Sequence, residues 1–378
     1  MLKVNCYNEL KGKWIMSKKR NSTIELLRII SLFLIILGHF DYHSRWDFDP
    51  SQFNVIESSV HTLWIGGKLG VNLFVLISSY FLIKSEFKLK SLVNTWLTSY
   101  FYALIIFIIS ILFKIIKFNV KDLIKIIFLT SSGYINWFVT AYIIMYLLSP
   151  FMNVILNNLS RRQFNKLIII LLIFFSLSKM VFNNPSIGTN GNDAVWLLVV
   201  YCCGSYIRIF ENQISDELKN TYIWLIFTVS TLISIISVFL LDYISVLFKL
   251  HNEEYVYERF ISGYSLFQLI SAICLFIIFL RMKSFYNSMV NKIASTTFAI
   301  YLIHDNLLIS DWLWNSLVKG YRFEDTPLVL IYGVLIAGLI FIVCSIIDLV
   351  RQYIFNGLQK KIVEYIVKLK IFSYFIDE

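Results

Sequence analysis

One stretch of the sequence places three ionisable side chains on an otherwise apolar helix. Glu25, Arg28 and His39 lie in the segment ELLRIISLFLIILGHF. A step of about eleven residues from Arg28 to His39 is three helical turns plus about 20°, so both side chains share one face, about 16 Å apart along the axis. Glu25 lies three residues before Arg28 and can pair with it. Because histidine exchanges protons near neutral pH, this stripe predicts a polar column that ends at a general base.

The same three residues also have a structural interpretation. Glu25 and Arg28 would anchor one end of a membrane helix and His39 the other, each side chain snorkelling to the nearer surface. Ionisable groups within a membrane are costly and are functional candidates by default. The stripe is therefore expected to face a protein-lined, partly wet cavity, because it cannot face lipid.

Polar residues in three further apolar segments are secondary candidates. Lys68 either contacts a polar ligand or snorkels, and Asn72 either binds or hydrogen-bonds a neighbouring helix. Trp137 marks a membrane interface, and Tyr142 either lines a cavity or packs in the core. His304 is a second intramembrane histidine, for which a structural hydrogen bond to another helix is the alternative.

No motif predicts a bound metal or cofactor. The sequence has no HExxH, CxxC, Walker A or GxSxG pattern. The odd number of cysteines argues against a disulfide framework, so they are expected to be small buried hydrophobes. These cysteines are Cys6, Cys202, Cys203, Cys274 and Cys344. Three remaining histidines fall in or beside predicted outer loops and are expected to be solvated: His43, His61 and His251.

The composition assigns these residues to an all-α, polytopic membrane protein. Of the 378 residues, 58% are hydrophobic and only 15% are charged, whereas soluble domains have about 45–50% and about 25%. Apolar runs of about 18 or more residues exclude a soluble enzyme, a disordered chain, a coiled coil and a membrane β-barrel. The net charge of +10 is divided among short loops, which argues against nucleic acid and suits attraction to anionic lipid.

Ten membrane spans are predicted, with both termini in the cytoplasm. With this orientation 22 Lys and Arg residues lie inside and nine outside, as the positive-inside rule requires. The chain divides into a basic segment 1–22, in which Met16 is an alternative start, a membrane domain 23–355 and a basic amphipathic tail 356–378. The predicted spans are 23–41, 60–83, 93–116, 134–156, 166–183, 194–210, 221–248, 262–281, 291–313 and 327–350.

Four segments together resemble the acyltransferase 3 family of bacterial membrane O-acyltransferases. They are Glu25-x-x-Arg28 with His39, GVNLFVLISSYFL at 70–82, NWFVTAYIIMYLLSP at 136–150 and STTFAIYLIH at 295–304. The resemblance implies transfer of an acyl group from cytoplasmic acyl-CoA. Acetyl is the usual group in the family, and succinyl is an alternative. The implied acceptor is a hydroxyl of a cell-surface polysaccharide or its lipid-linked precursor, and the implied location is the bacterial plasma membrane.

The shared helix face of Glu25, Arg28 and His39, taken with the resemblance, leads to a mechanistic hypothesis. Arg28, held by Glu25, would bind acetyl-CoA or another acyl-CoA as donor substrate. His39 would take the proton of the acceptor hydroxyl or carry the acyl group itself, and His304 would orient the acceptor or the base. Asn72 or Tyr142 would donate to the oxyanion.

Two other function classes are weighed against the enzyme. An exporter or flippase of surface polysaccharide suits a chain with many spans, although few predicted spans carry the glycine or proline breaks of transporters. A sensor or scaffold has no feature in its favour. Consumption of acyl-CoA separates the enzyme from both, and the sequence leaves the oligomeric state open.

Overall fold

A computed structural model describes the chain in four stretches, 20–128, 136–182, 191–250 and 256–369. Met16, Cys6 and most of the predicted segment 1–22 lie outside the described residues, as do His251 and the end of the predicted tail. Cys202, Cys203, Cys274 and Cys344 are buried free thiols, which confirms the prediction for these four.

The regular elements of the described residues are all helical, which confirms the all-α class. Two π-helical stretches cover Ile173–Leu177 and Trp312–Val318, and two 3₁₀ turns cover Val256–Phe260 and Gly320–Phe323. The α-helices are α1 (Ser22–His43), α2 (Val55–His61), α3 (Leu63–Leu82), α4 (Leu89–Leu112), α5 (Val120–Ile127), α6 (Trp137–Asn157), α7 (Arg161–Leu172), α8 (Ser178–Phe182), α9 (Ala194–Ile209), α10 (Glu211–Glu217), α11 (Asn220–Leu247), α12 (Leu266–Arg281), α13 (Ser288–Ala294), α14 (Thr297–His304) and α15 (Leu328–Val367).

The protein is multi-pass, and the candidate spans among its described residues are roughly consistent with the ten predicted. Among the described residues, seven helices are long and apolar enough to cross a membrane, or eight if the bent pair α9 and α10 counts as one span. The predicted span 262–281 is the shorter apolar helix α12. The last predicted span, 327–350, continues to residue 367, so the proposed boundary between 355 and 356 falls inside α15.

The predicted span 291–313 is wrong as a single helix. The chain there forms α13, then α14, and then turns before the π-helical stretch. The hydroxyls of Thr296 and Thr297 donate to the carbonyls of Ile293 and Ala294, which satisfies the end of α13 in place of the next helical turn. The break sets α14 apart as a short helix that ends at His304.

α1 and α3 form the centre of the molecule and pack closely through glycines. A Cβ atom on Gly38 would lie 2.8 Å from the Cα of Gly67, and small residues at such points allow two membrane helices to approach. Of the apolar stretches of α1 and of α2–α3, 56% and 67% are buried, against 28% for α11 and α15. The peripheral helices therefore present apolar surface to lipid, while α1 is shielded and can carry ionisable groups.

Candidate active site

Two histidines from opposite ends of the chain meet in the protein interior. Nδ1 of His39 on α1 lies 3.0 Å from Nε2 of His304 at the end of α14. His304 is completely buried and His39 is 9% exposed. The residue after α14, Asp305, has its Oδ1 atom 3.6 Å from Nδ1 of His39, and the same oxygen accepts a hydrogen bond from Nε2 of His43 at 3.0 Å. We call His39, His43, His304 and Asp305 the histidine cluster.

The hydrogen bonds fix the tautomers of the neutral cluster. Nδ1 of His304 lies 2.7 Å from the carbonyl oxygen of Ile300, and a carbonyl can only accept, so this nitrogen carries the proton. Nε2 of His304 is then the acceptor and Nδ1 of His39 the donor. Nε2 of His39 consequently retains its lone pair, which is the state that a general base or a nucleophile requires.

Aromatic rings hold the cluster in place. Trp314, which is fully buried in the second π-helical stretch, lies parallel to the ring of His43 with centroids 6.1 Å apart. The ring of Trp64 is centred 6.2 Å from that of His39. Lys68 points its Nζ over Trp64, 4.1 Å from the ring centre. A π-helical segment beside a polar cluster is a common feature of functional sites.

A cavity of about 480 Å³ opens at the other end of α1, and we call it the arginine cavity. Arg28 lies in its wall, with Nη1 3.2 and 3.3 Å from the two carboxylate oxygens of Glu25. The lining continues along α1 through Leu32 to Ile35, one helical turn before His39. The cavity thus runs from the arginine to within a turn of the histidine cluster.

Sequence reasoning missed the far wall of the arginine cavity. Arg351 lies there, with Nε 2.6 Å from Oδ1 of Asp348 and Nη1 2.7 Å from Oε1 of Gln359. Asp348 is completely buried and also accepts from the hydroxyl of Tyr102. Arg351 and Gln359 were missed because the last predicted span ends at residue 350. The remaining polar lining of this cavity includes Arg20, Asn94, Thr98, Ser295, Gln352 and Asn356.

Of the secondary candidates from the sequence, Tyr142 lies in the arginine cavity, and Asn72 bonds to neighbouring segments of the chain. Tyr142 lines the arginine cavity, with its hydroxyl 3.5 Å from Oγ of Ser78. Asn72 is buried, donates to the carbonyl of Gly263 and accepts from Trp196, so the structure supports its alternative role in joining helices.

Two further candidates lie apart from the arginine cavity. Lys68 is buried and donates to Oδ1 of Asn192 at 2.8 Å, so it does not snorkel. Trp137 is the first residue of α6, and its ring contacts the ring of Phe138 edge to face.

Two histidines expected to be solvated are instead partnered. The side chain of His43 is 16% exposed and pairs with Asp305, because α1 continues to residue 43. The side chain of His61 is 12% exposed and lies 3.1 Å from Oδ2 of Asp242. For His43 the expectation failed because α1 extends beyond the predicted end at residue 41, and for His61 it failed because α11 brings Asp242 beside it.

The histidine cluster also tests the expectation of no metal. His39, His43 and Asp305 offer ligand atoms within 4.8 Å of one another. In the structure His43 bonds to Asp305, and Nδ1 of His39 bonds to His304, which is outside this group. The arrangement can therefore relay a proton. His39 and His43 are four residues apart on α1, but Asp305 lies 262 positions from His43, so the full set forms no local spacing motif.

Residues 21–348 match the model of the acyltransferase 3 family, described as an acyltransferase domain. The match covers α1 to the first half of α15, and so includes the histidine cluster and most of the arginine cavity. No curated protein and no solved structure matches the chain.

Proposed function

We propose that this chain, which belongs to the acyltransferase 3 family, moves an acyl group from cytoplasmic acyl-CoA to a sugar hydroxyl at the bacterial cell surface. Acetyl is the proposed group, with acetyl-CoA as donor substrate. The acceptor is a surface polysaccharide or its lipid-linked precursor, and the enzyme lies in the plasma membrane. The observation that carries the proposal is the arginine cavity, which leads from charged residues to within one turn of a histidine pair.

The wall of the arginine cavity is suited to the two parts of coenzyme A. Arg20, Arg28 and Arg351 line the cavity, and guanidinium groups bind phosphate through paired hydrogen bonds. Asn94 and Gln359 lie nearby and can satisfy the amides of a pantetheine arm. The apolar residues along α1 then receive the thioester, which excludes water from the acyl group.

The transfer step uses the lone pair on Nε2 of His39. The acceptor hydroxyl oxygen attacks the thioester carbonyl while its proton passes to Nε2 of His39. The carbon–oxygen bond forms, the carbon–sulfur bond breaks, and the proton passes to the departing CoA thiolate. His304 accepts the Nδ1 hydrogen of His39 and so holds the ring, and the Asp305 carboxylate stabilises the imidazolium.

The same geometry also suits a two-step route. Nε2 of His39 would attack the thioester and release CoA, and the acceptor hydroxyl would then remove the acyl group from the ring. In that case an acyl-enzyme forms in the absence of acceptor. Mass spectrometry of the protein incubated with acyl-CoA alone distinguishes the two routes, because only the second adds the mass of an acyl group.

The function is tested on cells and on purified protein together. Proton NMR of surface polysaccharide from cells with the intact gene, a deletion and His39→Ala should show loss of one O-acyl signal in both mutants, with polymer amount unchanged. Loss of the polymer with unchanged ester per sugar would identify an exporter instead. Purified His39→Ala that keeps its melting temperature and its full rate of CoA release would refute the role of His39.

A further inference from the structure

A second cavity, of about 550 Å³, lies beside the histidine cluster at the C-terminal end of α1. It is bounded by that end of α1, by α2, by the C-terminal end of α11 and by the start of the 3₁₀ turn Val256–Phe260. We call it the carboxylate cavity, because Asp41, Glu57 and Asp242 lie in its wall. Thirteen residues of helix separate Asp41 from Arg28, or about 20 Å along the axis, so the two cavities occupy opposite ends of α1.

The carboxylate cavity carries more acidic side chains than basic ones. Its two basic side chains are Arg45 and His61. Arg45 is 74% exposed at the side chain and pairs with Asp311, which is not part of the lining, while His61 pairs with Asp242. Three carboxylates in the wall thus share one mostly buried basic side chain, His61, so they are only partly matched by cations.

One oxygen atom of these carboxylates is buried without a hydrogen-bond partner among the described residues. Asp41 is 3% exposed, and its Oδ2 atom accepts no hydrogen bond from the described residues. A buried polar atom without a partner is costly, so its presence needs an explanation. A ligand hydroxyl or ammonium group in the cavity would supply the missing donor.

Aromatic rings complete the lining. Tyr42, Trp46, Phe53 and Tyr257 contribute to the wall. A concave site that combines aromatic faces with a few directed polar groups is typical of a small-molecule site. Hydroxyl groups of a sugar ring donate to carboxylates while its apolar face packs on an aromatic ring, and a protonated amine gains further from both.

A divalent cation explains these carboxylates less well. The only group of three candidate ligands within 4.8 Å, among the described residues, is the one in the histidine cluster. Asp41, Glu57 and Asp242 therefore line a wider space than an ion would fill. The wall favours an organic ligand that donates several hydrogen bonds.

Tyr42 joins the carboxylate cavity to the histidine cluster. Its ring lies in the wall of the cavity and meets the ring of His43 edge to face, with centroids 5.1 Å apart. It also stacks on Trp64 at 4.6 Å, and Trp64 lies next to His39. One aromatic layer thus separates the cavity from the proposed base.

Building on the proposed function, we propose that the carboxylate cavity binds one sugar unit of the acceptor, next to the unit that is acylated, and selects units without an acidic group. Neutral or amine-bearing sugars fit the partly matched carboxylates, and a uronic acid or a phosphorylated sugar would be repelled by them. The acceptor hydroxyl that reacts belongs to the adjoining unit, beyond Tyr42.

The test measures binding and transfer separately. Oligosaccharides of glucosamine, of glucose and of galacturonic acid are titrated into the purified full chain by calorimetry, and acyl transfer to each is followed with labelled acetyl-CoA. The first two should bind and the third should bind at least tenfold more weakly. Asp41→Asn and Glu57→Gln should each weaken binding of the glucosamine oligomer tenfold or more. Glu86→Gln, an exposed carboxylate at the opposite end of α3, should bind as the wild type.

The outcomes separate this proposal from the proposed function. Equal binding of the acidic oligomer, no binding of any oligomer, or unchanged binding in both variants would overturn the sugar site, while CoA release in the wild type would still support the enzyme. Selective binding with no acyl transfer would support the sugar site and contradict the acyltransferase. Glu57 is only half-buried, so its variant remains informative if Asp41→Asn does not fold.

Discussion

At the scale of single residues, the neighbours of His39 determine which of its ring nitrogens carries the proton in the proposed base. Nδ1 of His304 donates its hydrogen to the carbonyl of Ile300, so Nε2 of His304 can only accept a hydrogen bond from His39. This leaves Nε2 of His39 as the free lone pair. The sequence indicated both histidines, but their pairing joins residues 265 positions apart, which no spacing argument reveals.

Asp305→Asn tests the proton relay. The amide keeps the size of the carboxylate but removes the charge that lies 3.6 Å from His39. We expect kcat to fall on the order of 10²-fold, because the imidazolium loses its stabilising charge, while KM for acyl-CoA changes little. Stopped-flow or end-point assays of CoA release give both constants.

Asp305→Glu is the matched control for that prediction. It restores the charge at a slightly different position and should recover part of kcat. If Asp305→Asn instead raised KM for acyl-CoA and left kcat intact, Asp305 would act on donor binding and the relay would be wrong.

Arg28→Gln tests the donor end of the site. Arg28 lies in the arginine cavity and is held by Glu25. Loss of a charge-assisted hydrogen bond costs about 1.5–3 kcal/mol, so KM for acyl-CoA should rise about ten- to hundredfold with a small change in kcat. Initial rates against acyl-CoA concentration measure this split.

Arg162→Gln removes an exposed arginine that is not part of the cavity lining. Its KM should stay at the wild-type value. A KM for Arg28→Gln equal to that of Arg162→Gln would exclude Arg28 from the donor site.

At the scale of elements, the hydrophobic runs predict most helices well because membrane spans need long apolar stretches. They fail at α13 and α14, where the apolar run continues but threonine hydroxyls cap the first helix. They also fail at the helix ends, where amphipathic turns extend α1 to His43 and α15 to Val367. Those extra turns hold functional candidates, so boundary errors became errors in the site.

Gly38→Ala tests the close contact between α1 and α3. The added Cβ would lie 2.8 Å from the Cα of Gly67, which is backbone and cannot rotate away. Overpacking of this kind costs about 1–3 kcal/mol, and it also displaces His39, the next residue. We expect a lower melting temperature in detergent and a lower kcat.

Gly338→Ala is the matched control on α15. A Cβ there would meet no atom within 4 Å, so only the helix propensity changes, which favours alanine by up to about 1 kcal/mol. Its melting temperature should equal or exceed that of the wild type. Equal melting temperatures for both variants would show that α1 and α3 do not depend on this contact.

At the scale of the whole molecule, α1 connects two chemically different ends. Arginines and amides surround the cavity near its start, and carboxylates and aromatic rings surround the cavity near its end. A phosphate-bearing donor suits the first and a sugar suits the second. The proposed reaction requires the arginine cavity and the carboxylate cavity to face opposite sides of the membrane, with the histidine cluster between them.

Cysteine labelling from outside the cell tests that orientation. Gln52 and Glu86 are exposed and flank the candidate span α2–α3, so we expect them on opposite sides of the membrane. The excess of Lys and Arg in the predicted inner segments predicts that Glu86 faces the cytoplasm. In a Cys6→Ser background, whose four other thiols are buried, a membrane-impermeant maleimide should label Gln52→Cys on intact cells. It should label Glu86→Cys only after permeabilisation. The reverse pattern would place the arginine cavity outside, away from cytoplasmic acyl-CoA, and would contradict the proposed donor path.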